Sequence, residues 1–248
     1  MPAMSAGRVA LITGAGRRLG AAISQALHDA GYQVVLHYRQ SASEAEALCA
    51  RLNRQRAGSA RTVSGDLCNT DALAAVVVQA ADFGGRLDVL VNNASAFYAT
   101  PFGSATVAQW DDLLATNLKA PFFLSQAAAP YLAAAAGTIV NIGDIHAERT
   151  LQDFSIYSIS KAGLTALTKS LAKELAPEVR VNGIAPGAIL WPEHGTDAGE
   201  TRQILARVPL GRTGTAGDIA DAVVFLVDHA PYVTGQMLAV DGGRTLFS

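Results

Sequence analysis

Two side chains four residues apart, Tyr157 and Lys161, are the first sign of chemistry in this 248-residue sequence. On a helix that spacing puts them on one face, one turn from each other. A free phenol titrates near pH 10 and trades protons poorly at neutral pH. An ammonium one turn away favours the phenolate and is expected to bring Tyr157 toward the working range. Thirteen residues before Tyr157 stands Asp144. A carboxyl there can hydrogen-bond or protonate a ring nitrogen and pair with the N–H donors of a heterocycle. Asp144 and Tyr157 together therefore suit reduction of a C=N bond better than reduction of a ketone. Tyr-x-x-x-Lys by itself occurs on many helices without a catalytic task. What lifts it here is a glycine loop at the start of the chain.

That loop, Gly14-Ala-Gly-Arg-Arg-Leu-Gly20, lies between a β-prone run, Arg8 to Thr13, and a helical pattern from Ala21 to Ala30 stopped by Gly31. Strand, glycine loop and helix in that order present backbone N–H groups and a helix N-terminus to a pyrophosphate. A second strand, Val34 to Tyr38, leads into His37-Tyr38-Arg39-Gln40-Ser41. It carries no acid of the kind that holds ribose hydroxyls in NAD-binding domains. Arg39, Ser41 and the loop arginines Arg17 and Arg18 suit a 2′-phosphate instead, which favours NADPH over NADH. Arg18 is expected to lie over the phosphates and reach into the substrate cleft.

The rest of the chain alternates strand and helix patterns. A helix over Ala42–Ala57 precedes a strand from Arg61 that exits at Asp66-Leu67, and Thr70 or Asp71 caps the next helix, which runs to about Asp82. A strand at Leu87–Val91 enters Asn92-Asn93-Ala94-Ser95-Ala96-Phe97, whose asparagines and small residues let backbone pass close to a ligand. One or two helices span Trp110 to about Ala135, with Asn117 in the first and a kink at Pro121. Strands follow at Thr138–Ile142, Val179–Ile184 and Met237–Val240, with helices at Tyr157–Leu175, Glu200–Arg207 and Ala216–Asp228. This order predicts an α/β fold: one Rossmann-type doubly wound parallel sheet flanked by helices, in a single domain over 1–248. The loops bearing Gly14–Gly20, Asn93–Phe97, Asp144 and Pro186–Trp191 then share the carboxyl edge of the sheet, where ligands bind.

Bulk properties narrow the function. Net charge is −2, with no basic run, which argues against nucleic acid or an anionic membrane as partner. The longest small-apolar stretch, Ala127–Ala136, is broken by Pro130 and too short to span a bilayer. No signal-type segment opens the chain. Cys49 and Cys68 have no metal or redox spacing, which suits a reducing cytosol. The five histidines are scattered, so no metal site is expected.

With both motifs present, the sequence from about Arg8 to Gly243 resembles the short-chain dehydrogenase/reductase family. The resemblance implies that Gly14, Leu19 and Gly20 face the cofactor, that Asp66 and Leu67 bracket the adenine, that Asn93-Ala94 back the cofactor, and that Pro186-Gly187 begin the loop over it. It also implies that Asn117 supports Lys161 through a water relay. Two departures stand out: Arg18 occupies a place usually given to glycine or alanine, and Asp144 occupies the usual place of a serine. Both, with His37-Tyr38 and the Asn93-Ala94-Ser95…Phe97 segment, are similar to the pteridine reductases. In that group the residue matching Phe97 stacks on the pterin against the nicotinamide, and those matching Arg18 and Ser95 touch both cofactor and pterin. Arg39-Gln40 departs from the group, whose basic residue often comes one position later. The loop after Gly187 lacks an early serine, leaving Leu190 and Trp191 to line the substrate's side-chain pocket.

The resulting expectation is NADPH-dependent reduction of a pterin ring, dihydropterin to tetrahydropterin with dihydrofolate as a further substrate, and with Asp144, Tyr157, Lys161 and Asn117 as catalytic residues. Substrate contacts are expected from Arg18, Ser95, Phe97, Asp144, Tyr157, Leu190 and Trp191, under a lid at about 186–208. The rivals are a short-chain ketone reductase and a non-catalytic NADPH sensor. The resemblance further implies a homotetramer, and the cysteine usage a cytoplasmic location.

Overall fold

The computed structural model of the chain describes residues 7–189 and 198–246. Among them, parallel strands β1 (Val9–Ile12), β2 (Gln33–Tyr38), β3 (Ala60–Ser64), β4 (Val89–Asn92), β5 (Thr138–Ile142), β6 (Arg180–Pro186) and β7 (Met237–Val240) form one sheet. The spatial order is β3-β2-β1-β4-β5-β6-β7. A parallel sheet is covered on both faces, so its strands are near-continuous apolar runs. In β1, Val9 and Leu11 enter one core while Ala10 and Ile12 enter the other, as the two-residue period of a strand requires.

Helices α1 (Arg18–Asp29), α2 (Ala42–Gln55), α3 (Thr70–Gly84), α4 (Val107–Leu114), α5 (Ala120–Ala134), α6 (Ser155–Glu174), α7 (Ala198–Leu205) and α8 (Ala216–Val224) connect them. Leu73, Leu124 and Leu164 of α3, α5 and α6 build the core on one face of the sheet. Ile23, Leu52 and Val223 of α1, α2 and α8 build the core on the other. This is the doubly wound architecture expected. The direction of winding reverses between β1 and β4, which pair side by side. Loops leaving the carboxyl ends of these two strands diverge, and a crevice opens between them.

Some local expectations are corrected. The cap of α3 is Asn69, whose side chain accepts from the Asp71 N–H, not Thr70 or Asp71. Pro121, where a kink was expected, sits in the first turn of α5. The irregularity falls one turn earlier, where Ala115–Lys119 forms a π turn with Asn117 buried inside it. The helix expected over Ala216–Asp228 is helical throughout, with α8 ending at Val224 and continuing as a π turn, Phe225–His229. The span 186–208 opens on the last residue of β6 and includes α7, where a helix was expected at Glu200–Arg207.

Candidate active site

The glycine loop is sewn to the loop after β4. Thr13 Oγ1 accepts from the N–H groups of Asn93 (2.9 Å) and Ala94 (3.0 Å), and Asn93 Nδ2 donates to the Thr13 carbonyl at 2.8 Å. Two glycines make this closeness possible. Gly14 has φ +61° and a Cβ there would lie 3.1 Å from Ala94 Cα, while one at Gly20 would run into the Gly14 carbonyl oxygen and the Asn93 amide. Arg18 also takes a left-handed backbone, φ +52°, which costs a non-glycine residue about 1 kcal/mol. That conformation explains why a glycine would be natural at its place.

His37 braces the same loop from β2. Its Nδ1 accepts from the Gly14 N–H at 3.4 Å and its Nε2 faces the Gly65 carbonyl at 3.1 Å, an arrangement that fixes the neutral, Nε2–H tautomer. Burial brings its pKa down to about 4.

A cleft of about 790 Å³ runs along the carboxyl edge of the sheet. At one end it is lined by Arg17 to Gly20, Arg39 to Ser41 and Asp66 to Cys68; at the other by Ser95 to Tyr98, Asp144, Tyr157 and Pro186 to Ile189. Of the residues expected to face the cofactor, Tyr38 alone does not line it, and Gln40 does. The residues fit a nicotinamide dinucleotide. Gly14 and Gly20 leave a cradle that a Cβ would fill, and a Cβ at Gly16 would come within 2.5 Å of Ser41 Oγ. At the far end Arg17 and Arg39 are only loosely paired, to Glu44 at 3.7 Å and Asp66 at 3.6 Å, and half exposed at 56% and 48%. The Asp66 carboxyl is held below its ordinary range, chiefly by the Cys68 N–H.

At the catalytic end, Tyr157 donates to Asp144 Oδ2 at 2.6 Å. The other carboxyl oxygen accepts from the His146 N–H at 2.8 Å, so Asp144 caps the short turn Ile145–Ala147. The expected effect of Lys161 on the phenol is corrected here. Burial and the Asp144 charge push Tyr157 well above the usual phenol range. Lys161 is itself 2% exposed, and burial brings its pKa down to about 8 while Asp144 acts in the opposite direction. Its Nζ donates to the Ile142 carbonyl at 2.9 Å and lies 5.8 Å from the Tyr157 ring centre, not on the hydroxyl. Phe97 stands beside this pair, 56% exposed. One face stacks on Phe154 (centroids 4.6 Å apart, 19° between planes), and the Tyr157 ring lies T-shaped to it at 4.7 Å.

A family model described as enoyl-(acyl carrier protein) reductase matches residues 14–245. Pteridine reductase 1 of Leishmania tarentolae is 37% identical over 279 residues, covering 96% of this chain and 96% of that one. The chain is a short-chain dehydrogenase/reductase. It is thus an oxidoreductase of a family that uses nicotinamide cofactors. Within the family it is similar as well to the 3-oxoacyl-acyl-carrier-protein reductase FabG of Staphylococcus aureus, at 35% identity over 94% of this chain and 96% of the relative. L-xylulose reductase of Bos taurus is 36% identical over 96% of both chains.

In this short-chain dehydrogenase/reductase, Asn117 does not line the cleft and makes no direct bond to Lys161. Its amide oxygen accepts from the Ala96 N–H (2.8 Å) and Ser95 Oγ (3.0 Å), and its nitrogen donates to the Ala96 carbonyl and Ser160 Oγ, both at 3.0 Å. Asn117 thereby ties the Phe97 loop to α6. Leu190 and Trp191 lie outside the described residues. Tyr98, Asp112, Thr116 and His146 line the cleft without having been anticipated. Tyr98 donates to Asp112 at 2.8 Å and anchors the Phe97 loop to α4, with its phenol pushed up to about 12 by burial and by Asp112. Only His146 carried a signal in the sequence, two residues after Asp144. The Tyr98–Asp112 pair joins a loop to a helix at no recognisable spacing.

Proposed function

We propose that this short-chain dehydrogenase/reductase reduces a pterin ring with NADPH, taking a dihydropterin to a tetrahydropterin, with dihydrofolate as a second substrate. One observation carries the reading: the Asp144 carboxyl is bonded to the Tyr157 phenol directly beside the half-exposed ring of Phe97. A carboxyl–phenol pair suits the donors and acceptors of a flat heterocycle, and a half-exposed phenyl ring suits its π-face.

Gly14, Leu19 and Gly20 would hold the pyrophosphate, Arg17, Arg39 and Ser41 the 2′-phosphate, and Asp66 and Leu67 the adenine. Asn93, Ala94, Lys161, Pro186 and Gly187 would hold the nicotinamide end, which supplies a hydride when bound. The chain's own groups do the rest. Phe97 orients the ring, Arg18 and Ser95 reach it from the phosphate side, and Asp144 pairs with its N–H groups. Tyr157 yields the proton that the reduced nitrogen needs, and Lys161 steadies the ribose. Asn117 acts by holding Ala96 and Ser160 in place. The lid expected at about 186–208 lies partly outside the described residues; its described start is anchored by Gly187 N–H to the Val240 carbonyl and by Gly214 N–H to the Ala188 carbonyl.

A second reading, reduction of a ketone such as a 3-oxoacyl thioester, draws on the 35% identity to the S. aureus enzyme, close to the 37% of the pteridine reductase. NADPH oxidation with dihydrobiopterin, set beside an acetoacetyl thioester, separates the two in wild type and Asp144→Ser. Pterin turnover lost on substitution supports the first reading. Turnover of the thioester alone supports the second. Tight NADPH binding with neither substrate consumed leaves a sensor.

Assembly and location belong to the same proposal. Trp110, Phe122, Phe123 and Ile159 of α4, α5 and α6 are exposed apolar groups, which supports burial between copies in a homotetramer. The cysteines Cys49 and Cys68 are both free, in keeping with a reducing cytosol.

A further inference from the structure

Three non-glycine residues among those described take a left-handed backbone: Arg18 at φ +52°, Ala136 at φ +49° and Asp153 at φ +63°. L-residues seldom adopt it, and one that does is held there by its surroundings, often at a functional site. Arg18 lines the cleft, and Ala136 turns the chain between α5 and β5. Asp153 is exposed and does not line the cleft. It stands next to Phe154, the ring on which Phe97 stacks.

Its place is the third position of a tight turn, Leu151–Phe154, closed by the Phe154 N–H on the Leu151 carbonyl at 3.2 Å. A positive φ at that position is what a type II turn demands, normally from glycine or asparagine. The turn does two things. It aims the Asp153 carbonyl at the Thr100 N–H, 2.6 Å away, on a fully buried residue that follows shortly after Phe97. It also leads into α6, because the Phe154 carbonyl accepts from the Ser158 N–H at 2.9 Å and Tyr157 lies in the first turn of that helix. Asn117 holds the Phe97 segment at Ala96. The Thr100 bond holds it at the other end.

We propose that Asp153 is a positioning residue for the substrate: its left-handed backbone sets how far the Phe97 ring stands from the Asp144–Tyr157 pair. A flat heterocycle has to stack on the one while it bonds to the other, so that spacing selects for it. With the carbonyl of residue 153 turned away, the Thr100 N–H would lose its partner in a buried place, at a cost that an exposed donor would not incur. The stacked rings of Phe97 and Phe154 would then shift relative to the helix that carries Tyr157. This rests on the pterin reading, since an acyclic ketone needs the Asp144–Tyr157 pair but no ring beside it.

The test uses Asp153→Asn, Asp153→Gly and Asp153→Val. Asparagine and glycine both accept a left-handed backbone, so these two variants should keep the wild-type kcat and KM although the carboxylate is gone. Valine, whose branched side chain disfavours positive φ, should raise KM for dihydrobiopterin roughly three- to tenfold, the range of one aromatic stacking contact. In Asp153→Val kcat should fall by less than KM rises, and the NADPH dissociation constant should be unchanged. A turn that served stability alone would lower the melting temperature of Asp153→Val and leave its KM at the wild-type value, which would overturn the proposal. So would a KM raised as far in Asp153→Asn or Asp153→Gly as in Asp153→Val, or NADPH affinity falling in step with that for pterin. Should Asp153→Val fail to fold, Asp153→Ala takes its place under the same criteria, because a positive φ strains alanine too. A wild type that does not turn over dihydrobiopterin ends the pterin reading and this inference together. One that does, with KM unmoved in Asp153→Val, ends the inference alone.

Discussion

The Tyr157 hydroxyl donates to Asp144 Oδ2 at 2.6 Å, while the lysine one helical turn away spends its proton on the Ile142 carbonyl. The phenol is therefore governed by a carboxyl rather than by an ammonium. Burial and the Asp144 charge both raise its pKa. Removing the charge with Asp144→Asn should lower it, and ultraviolet titration of the phenolate would show Tyr157 ionising at a lower pH than in wild type. Pterin turnover should fall by roughly 10²- to 10⁴-fold in the same variant. An unmoved titration would mean that burial alone sets the phenol.

Phe97 is stacked on Phe154 on one side and is half exposed. Phe97→Ala should raise KM for dihydrobiopterin roughly three- to tenfold, the worth of one aromatic stacking contact. NADPH affinity, measured by fluorescence quenching, should hardly change. A loss in NADPH affinity as large as the loss for pterin would make the ring a cofactor wall instead of a substrate platform.

Arg39 is half exposed and only loosely tied to Asp66. If it meets a 2′-phosphate, Arg39→Ala should weaken NADPH binding about tenfold, as expected for one charge-assisted hydrogen bond. NADH binding should be unchanged, and calorimetry with both cofactors reads the difference directly. Equal losses would assign Arg39 to a role common to both.

His37 gives the protein an acid-sensitive element. The unfolded chain takes up the histidine proton near pH 6.5, the folded one only near 4. Between those values the unfolded state binds more protons, so stability is fully present above 6.5 and is lost as pH falls toward 4. The His37 share is about 3 kcal/mol at most. Urea unfolding at pH 7 and pH 4.5 should show a smaller acid loss in His37→Gln than in wild type.

Much of this was legible from side-chain pattern. Apolar runs between glycine and helical segments mark all seven strands, and β5 and β7 fall on the residues expected. The glycine loop, Asp144, Tyr157 and Lys161 also meet in one cleft as their positions along a doubly wound sheet require. What escaped depends on backbone geometry that leaves no pattern. The π turn at Asn117 inserts one residue into an otherwise regular periodicity. The partner of Lys161 is a main-chain carbonyl, which has no residue type to read. Spacing put Lys161 beside Tyr157 correctly, but not where its ammonium points. For α3, three adjacent polar residues could each cap the helix, and only the fold selects Asn69.

The stacked pair of Phe97 and Phe154 has a stereochemical consequence. With one side of Phe97 covered by Phe154, a flat ring stacking on Phe97 has a single side to use. Its own far side is then the one left for hydride. Under the proposed reading, a prochiral ring carbon would be reduced to one hand of product, and chiral chromatography of the tetrahydropterin should give a single peak.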